Sequence, residues 1–349
     1  MRVAHGCGGV GATAPAAAAL YSSKKDCIDF LELRRGFNQL KKGGVDRLAL
    51  NQGFDYHERV NERAAGLPLL EYLSYRYRHS SEEEWRGRIE NGLVLVDGSP
   101  VSPDLVLQMG QAVVWRRPPW HEPKVPLSYA VLYEDEEMLA VAKPRGLPSV
   151  PAGGFLEHTL LRLVQRQYPE AVPMHRLGRG TSGLVLFART AQARSALTAA
   201  LRRCEMSKFY RALASGCPDN EAFLIEVPIG PVPHPVLGTI HAASHHGVRA
   251  VSRVRILEKR SDSTLMEVEI ETGRPHQIRI HLAAAGYPLV GDPLYSIGGG
   301  FKDGEALPGD CGYLLHAERL RLYHPKTGSP LEIACPPPPE LRIGNGVTC

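Results

Sequence analysis

The sequence predicts an α+β protein divided by a proline-rich break, with strands outnumbering helices. Three observations carry this. Residues 265–271 (Leu-Met-Glu-Val-Glu-Ile-Glu) alternate with period two, as a half-buried strand does. Residues 138–142 and 183–188 are short apolar runs of strand length, whereas residues 190–203 place Leu197, Ala200, Leu201 and Cys204 on one helical face. Between residues 118 and 126 four prolines interrupt any regular pattern, and each fixes its own φ.

The 349 residues suffice for more than one domain, and an apolar fraction of 43% supports a sizeable core. Residues 1–65 form an N-terminal extension with no usable motif. Its start is acid-free and Ala-rich up to Asp26, with Ser22, Ser23, Lys24 and Lys25, which suits either a transit peptide or a plain disordered extension. Arg34, Arg35, Lys41, Lys42 and Arg47 are read as a solvated basic face.

Residues 66–117 read as a small α+β module. Leu69, Leu70 and Leu73 recur at helical spacing. Ser80 and Ser81 precede Glu82-Glu83-Glu84, and Ser followed three residues later by Glu is a capping-box signal for a second helix, which Trp85 and Ile89 bury and Asn91-Gly92 end. Residues 93–101 read as a hairpin turning at Asp97-Gly98. Residues 118–127 are then a semi-rigid linker, 128–339 the large domain and 340–349 a tail.

Net charge is +4, mildly basic, which weakly favours a polyanionic partner. The seven cysteines are odd in number and scattered, with no Cys-x-x-Cys pair, which suits reduced thiols in cytoplasm or an organelle. No apolar run approaches the roughly 20 residues of a membrane span, and no phosphate loop or zinc helix is present. His234, His241, His245 and His246 are read as an exposed loop, not a metal site.

The most informative run is Met174-His175-Arg176-Leu177-Gly178-Arg179-Gly180-Thr181-Ser182-Gly183. It is followed by Thr272-Gly273-Arg274-Pro275-His276-Gln277-Ile278-Arg279-Ile280-His281-Leu282 and by Gly291-Asp292-Pro293-Leu294-Tyr295. Around these lie Val141-Ala142-Lys143-Pro144-Arg145-Gly146-Leu147, Ser207-Lys208-Phe209-Tyr210-Arg211 and Leu315-His316-Ala317. In this order the blocks resemble the RluA-like (large-subunit type) RNA pseudouridine synthases, in a plant-type branch. The module at 66–117, with Arg76, Arg86 and Arg88, resembles the S4 RNA-binding module.

The resemblance implies a pseudouridine synthase fold: a mixed, largely antiparallel sheet with a central cleft. It implies isomerisation of uridine to pseudouridine in RNA, with tRNA or rRNA as partner, no cofactor and no metal, by a protein expected to be a monomer. It makes Tyr210 the ring that stacks on an everted uracil and Arg279 the cation that pairs with the family's catalytic Asp. Arg176, Arg179, Arg274 and His276 become candidate RNA contacts. The chain departs from the family at one position: where Asp follows His-Arg-Leu, this sequence has Gly178. Glycine can be neither nucleophile nor base. Three readings follow: another carboxylate substitutes, for which Asp292 is the candidate; the protein is an RNA-binding homologue without turnover; or the branch isomerises by a different route. Arg279 discriminates between the first two, because an unpaired buried guanidinium costs several kcal/mol, on the order of 3–5, so either an anion from elsewhere in the chain sits near it or the site is wet and open.

Overall fold

A computed structural model describes residues 40–42, 50–77, 80–235, 238–304 and 306–344. The start up to residue 39, with the transit-like segment, Arg34 and Arg35, lies outside the described residues, as do Arg47 and the tail from residue 345. Among the described residues no helix is long and apolar enough to cross a membrane.

The N-terminal module is a four-stranded sheet in the order β2-β5-β3-β4 under two helices. Its elements are β2 (Phe54–Arg59), α1 (Leu69–Arg76), α2 (Glu82–Glu90), β3 (Val94–Val96), β4 (Ser99–Pro100) and β5 (Ala112–Arg117). The capping box forms as the sequence signals: Glu84 N–H donates to Ser81 Oγ, and Ser81 N–H to the Glu84 carboxylate. Leu69, Leu73, Trp85 and Ile89 pack onto Val94, Val96 and Val113. β2, from the stretch read as extension, pairs along its whole length with β5. The signal was present in the alternation Phe54-Asp55-Tyr56-His57, but one short strand without flanking motifs does not announce its partner. A second strand of the expected extension, β1 (Leu40–Lys42), pairs with β6 of the large domain.

The linker contains no helix or strand, yet it is braced. The Glu122 carboxylate accepts the backbone N–H groups of Leu156, Glu157 and His158 at 2.9, 2.8 and 2.9 Å, and the Asn51 amide at 2.9 Å. Trp120 donates its indole N–H to Gly154 O at 2.8 Å, and the Arg117 guanidinium lies 3.5 Å from the Trp120 ring centroid.

The large domain is built on one sheet in the order β1-β6-β7-β9-β16-β10-β15-β14-β11. The strands that carry the site are β7 (Met138–Lys143), β9 (Ser182–Ala188), β10 (Ser207–Ser215), β15 (Ser263–Ile270) and β16 (Leu315–Tyr323), with β6 (Ser128–Glu134), β11 (Ala222–Ile225) and β14 (Ser252–Lys259) outside them. All pairs along this path are antiparallel except β9 with β16, where His316 faces Ser182 in parallel register. The expected α+β class, with a mixed and mostly antiparallel sheet, is therefore observed. One face packs Leu139, Val141, Val185, Tyr210, Val268 and Tyr313; the other packs Leu184, Leu186, Leu320 and Leu322 against helix α4 (Ala191–Arg203). Gly183 is fixed by the β9–β16 crossing: its φ is +112°, and a Cβ there would lie 2.3 Å from Ala317 O.

Two local expectations are corrected. Cys204 does not continue the buried face of α4; it ends the helix in the left-handed region at φ 57° and is exposed. The histidines near residue 240 are not in a loop throughout: β12 (Ile229–His234) and β13 (Gly238–Ala243) form a hairpin, and His234 is buried beside Phe301. The prolines at 231, 233 and 235 hid this strand from a pattern reading, since proline normally argues against one.

Candidate functional site

The site is assembled where helix α5 (Gln277–Ala284), the 289–295 turn, the 306–313 loop and the 175–181 loop converge. Helix α5 starts after His276, which takes the N-cap position with φ 56° and ψ 20°, and Gly286 follows its end at φ +94°. All its residues from Gln277 to Ala283 are buried, so it is a core helix rather than a solvated one.

Burial turns Arg279 inward, and there it meets a carboxylate. Its Nε donates to Asp292 Oδ2 at 2.7 Å and its Nη2 to Asp292 Oδ1 at 2.8 Å, a bidentate pair with side chains 2% and 1% exposed. Nη1 donates to Pro308 O at 3.1 Å. The guanidinium is flanked by two rings, 4.9 Å from the Tyr295 centroid and 4.2 Å from that of Tyr313. Asp292 Oδ1 also accepts the backbone N–H groups of Leu294 and Tyr295, at 2.9 and 3.1 Å, which closes the turn. Burial alone would raise the Asp292 carboxyl, but the Arg279 bonds and these two N–H groups outweigh it and hold it below the usual carboxylate range.

Gly178 sits on an exposed loop held from beneath. Ser149 Oγ donates to Leu177 O at 2.8 Å and accepts Leu177 N–H at 3.0 Å. Gly146 N–H donates to Arg179 O at 2.8 Å. The buried Lys143 ammonium donates to Pro144 O, Leu147 O and Arg179 O at 2.9, 2.6 and 3.4 Å. The Lys-Pro turn and the His-Arg-Leu loop, well separated in sequence, are thus one structure. Desolvation pushes the Lys143 amine down to about 7, while the three carbonyls around it suit an ammonium.

What stands where a side chain at 178 would point is Tyr313. A Cβ on Gly178 would lie 3.0 Å from Tyr313 Oη, and one on Gly180 2.8 Å from Tyr313 Cζ. The phenol is buried and within 3.3 Å of Thr181 Oγ1. A side chain at 178 would crowd this hydroxyl, and its ring is the one that lies against Arg279.

Tyr210 lies on β10, between Val268 of β15 and Ala317 of β16. The register with β16 shifts between Phe209 and Tyr210, and such a bulge re-aims the side chains beside it. Tyr210 belongs to the same apolar cluster as Leu177, Ile278 and Tyr313, and Tyr313 in turn lies against Arg279. His276 joins them through Tyr295: its Nδ1 is 2.8 Å from Tyr295 Oη.

The candidate RNA contacts divide. Arg176 is exposed at the loop. Arg179 donates to Gly309 O at 2.8 Å and lies 3.6 Å from Asp310. Arg274 is directed to Arg249 O, at 3.0 and 2.8 Å. The module arginines stand apart, each on a glutamate: Arg76 on Glu58 at 3.3 Å, Arg86 on Glu82 and Arg88 on Glu84 at 3.4 Å. Sequence reasoning missed Tyr313 and Tyr295, because no local pattern ties either to Arg279. Lys143 stood in the Lys-Pro motif without a role.

Residues 137–284 match the family model described as RNA pseudouridylate synthase. An uncharacterized RNA pseudouridine synthase of Synechocystis is 46% identical over 276 residues, covering 78% of this chain and 95% of the relative. RNA pseudouridine synthase 5 of Oryza sativa subsp. japonica is 39% identical over 352 residues, covering 84% and 89%. Ribosomal large subunit pseudouridine synthase D of Pseudomonas aeruginosa is 33% identical over 306 residues, covering 80% and 93%.

Proposed function

The chain belongs to the RNA pseudouridine synthases, isomerases that convert uridine to pseudouridine in RNA, and on that premise we propose that the region around Tyr210 and Arg279 receives the everted uridine, with Asp292 as its working carboxylate. The observation that carries this is the bidentate Arg279–Asp292 pair. A guanidinium whose family partner is missing has kept a carboxylate, and has kept it out of water.

The isomerisation must break the N1–C1′ bond, hold the detached uracil while it rotates, and join C1′ to C5. Tyr210 offers a ring on which the uracil stacks. Arg279 holds the carboxylate ionised and oriented. Asp292 is suited to attack C1′ or to take a sugar proton. Arg176 and Arg179 at the rim are suited to phosphates; Arg179 exchanges Asp310 for them. The Asp292 side chain is 1% exposed, so a sugar reaches it only once the pair is uncovered.

A specific observation favours a second reading, an RNA-binding homologue without turnover. The Asp292 side chain is 1% exposed and accepts four hydrogen bonds, two from Arg279 and two from the turn, which describes a brace better than a nucleophile.

The module at about 50–117 is proposed to bind RNA in the S4 manner. Two helices over a hairpin support this, and the exposed pairs of Arg76 and Arg86 do not oppose it. Such a pair is worth under about 1 kcal/mol, so a phosphate can displace the glutamate.

Tritium release from RNA carrying 5-³H-uridine separates the two readings. Turnover by the wild type, reduced by at least about 10⁴-fold in Asp292→Asn, supports Asp292 as the working acid. A silent wild type overturns it in favour of the binding protein. Gly178→Asp then needs a companion change, since its Cβ meets Tyr313 Oη. We expect turnover to appear in Gly178→Asp with Tyr313→Phe rather than in Gly178→Asp alone.

A further inference from the structure

We propose that His276 is a hydrogen-bond acceptor of the uridine site, presenting its Nε2 lone pair to an N–H or O–H donor of the bound RNA. This rests on the reading of the region around Arg279 as the uridine site and specifies part of what it recognises.

The argument begins with the backbone. His276 sits in the left-handed region at φ 56° and ψ 20°, where a histidine is strained. Its side chain caps no N–H of α5. Glycine would relieve the strain, and Ser, Asn or Asp would cap the helix, so neither local demand accounts for an imidazole. What the conformation achieves is to place the ring on Tyr295.

The hydrogen bonds there fix the tautomer. Tyr295 Oη has one proton, and it is donated to His241 O at 2.8 Å. Toward His276 Nδ1, also at 2.8 Å, the same oxygen can only accept. Nδ1 therefore carries the ring proton, and Nε2 is a bare acceptor. Burial, aided by Arg279 and His241, pushes the ring's pKa down to about 3, so it stays neutral at any working pH. The chain His276–Tyr295–His241 O anchors this arrangement on β13.

The surroundings decide what Nε2 can meet. Arg279 and Arg176 supply positive field to the ring, and Asp292 is committed to Arg279. The arginines answer phosphate oxygens. An imidazole lone pair cannot, because a phosphodiester offers acceptors only. The donors an RNA brings are the ribose 2′-OH and base N–H groups, of which uracil has one, at N3. A neutral acceptor among cations thus separates a nucleoside from its phosphates.

The test uses the full chain, a fluorescently labelled short oligouridylate, and two analogues: oligodeoxyuridylate, lacking the 2′-OH, and oligo-3-methyluridylate, lacking the imino proton. The variant is His276→Asn. Asparagine tolerates positive φ and keeps an N–H near Tyr295 Oη, but has nothing at the Nε2 position. Its thermal midpoint is expected to match the wild type. By fluorescence anisotropy the wild type should bind oligouridylate about fivefold more tightly than one analogue, and His276→Asn should bind the two alike. The analogue that loses identifies the donor. On ¹⁵N NMR, the bare Nε2 of His276 should shift when oligouridylate is added. The proposal is overturned if the wild type discriminates against neither analogue, or if His276→Asn keeps the discrimination. Salt-sensitive binding in those cases leaves the region as an RNA site; no salt-sensitive binding of any oligomer overturns both.

Discussion

Arginine is used in opposite ways in the two halves of this molecule. In the N-terminal module, residues 50–117 carry eight arginines against ten acidic residues, and the candidate RNA contacts Arg76, Arg86 and Arg88 each lie against a glutamate at 3.3–3.4 Å. In the large domain, Arg279 is sealed from water, gripped at two points by Asp292 and sandwiched by two tyrosines. The difference teaches that an ion pair's distance says little about its worth. Solvent screens the first set, so its arginines can change partners, while desolvation makes the second pair one that cannot be opened by halves.

The largest effect should come from opening it. Arg279→Ala leaves Asp292 buried without a counter-ion and should cost about 3–5 kcal/mol in urea unfolding. A loss under about 1 kcal/mol would mean that water reaches the pair. Next comes acid. Burial pushes His175 and His276 down to about 3 and His281 to about 4, all in the large domain. Their folded values lie below the ordinary 6.5, so below that pH the unfolded chain takes up protons the folded chain refuses, and stability falls as pH drops toward about 4. The three tryptophans lie in the module and linker. Circular dichroism of the large sheet should therefore fail before tryptophan emission shifts; simultaneous loss would show the halves to be one cooperative unit.

A smaller effect tests the joint between the halves. Glu122→Ala strands three backbone N–H groups and should cost about 1–3 kcal/mol, with faster proteolysis across residues 118–127. Unchanged cleavage would assign the linker's rigidity to its prolines. Least of all, Arg86→Ala should move stability by under about 0.5 kcal/mol. It should also weaken RNA binding and lower its salt slope if the module contacts phosphate.

Such outcomes bear on what the sequence could disclose. The strands, the capped helix α2 and the class of the fold were legible because each is written in local periodicity or a short signal, as with Ser81 and Glu84. The ordered motifs pointed to Arg279 and Asp292, and an electrostatic argument left Arg279 either a nearby anion or an open, wet site; the structure has the anion. Tyr313 was not legible. It is far from Gly178 in sequence, and nothing in Gly-Tyr-Leu-Leu declares that its hydroxyl stands 3.0 Å from where a Cβ at 178 would lie. The β12–β13 hairpin was hidden by its own prolines, and β2 by the distance to its partner β5.

The parallel contact of β9 with β16 has a consequence for how this polypeptide matures. Ser182 and His316 are 134 positions apart, so the apolar segment Gly183–Ala188 leaves the ribosome long before the strand that will flank its first residues exists. Until then that rim of the growing sheet offers unsatisfied amides to any neighbour. Closure over so long a loop is slow, and a nascent chain truncated before Leu315 should be a preferred client of chaperones.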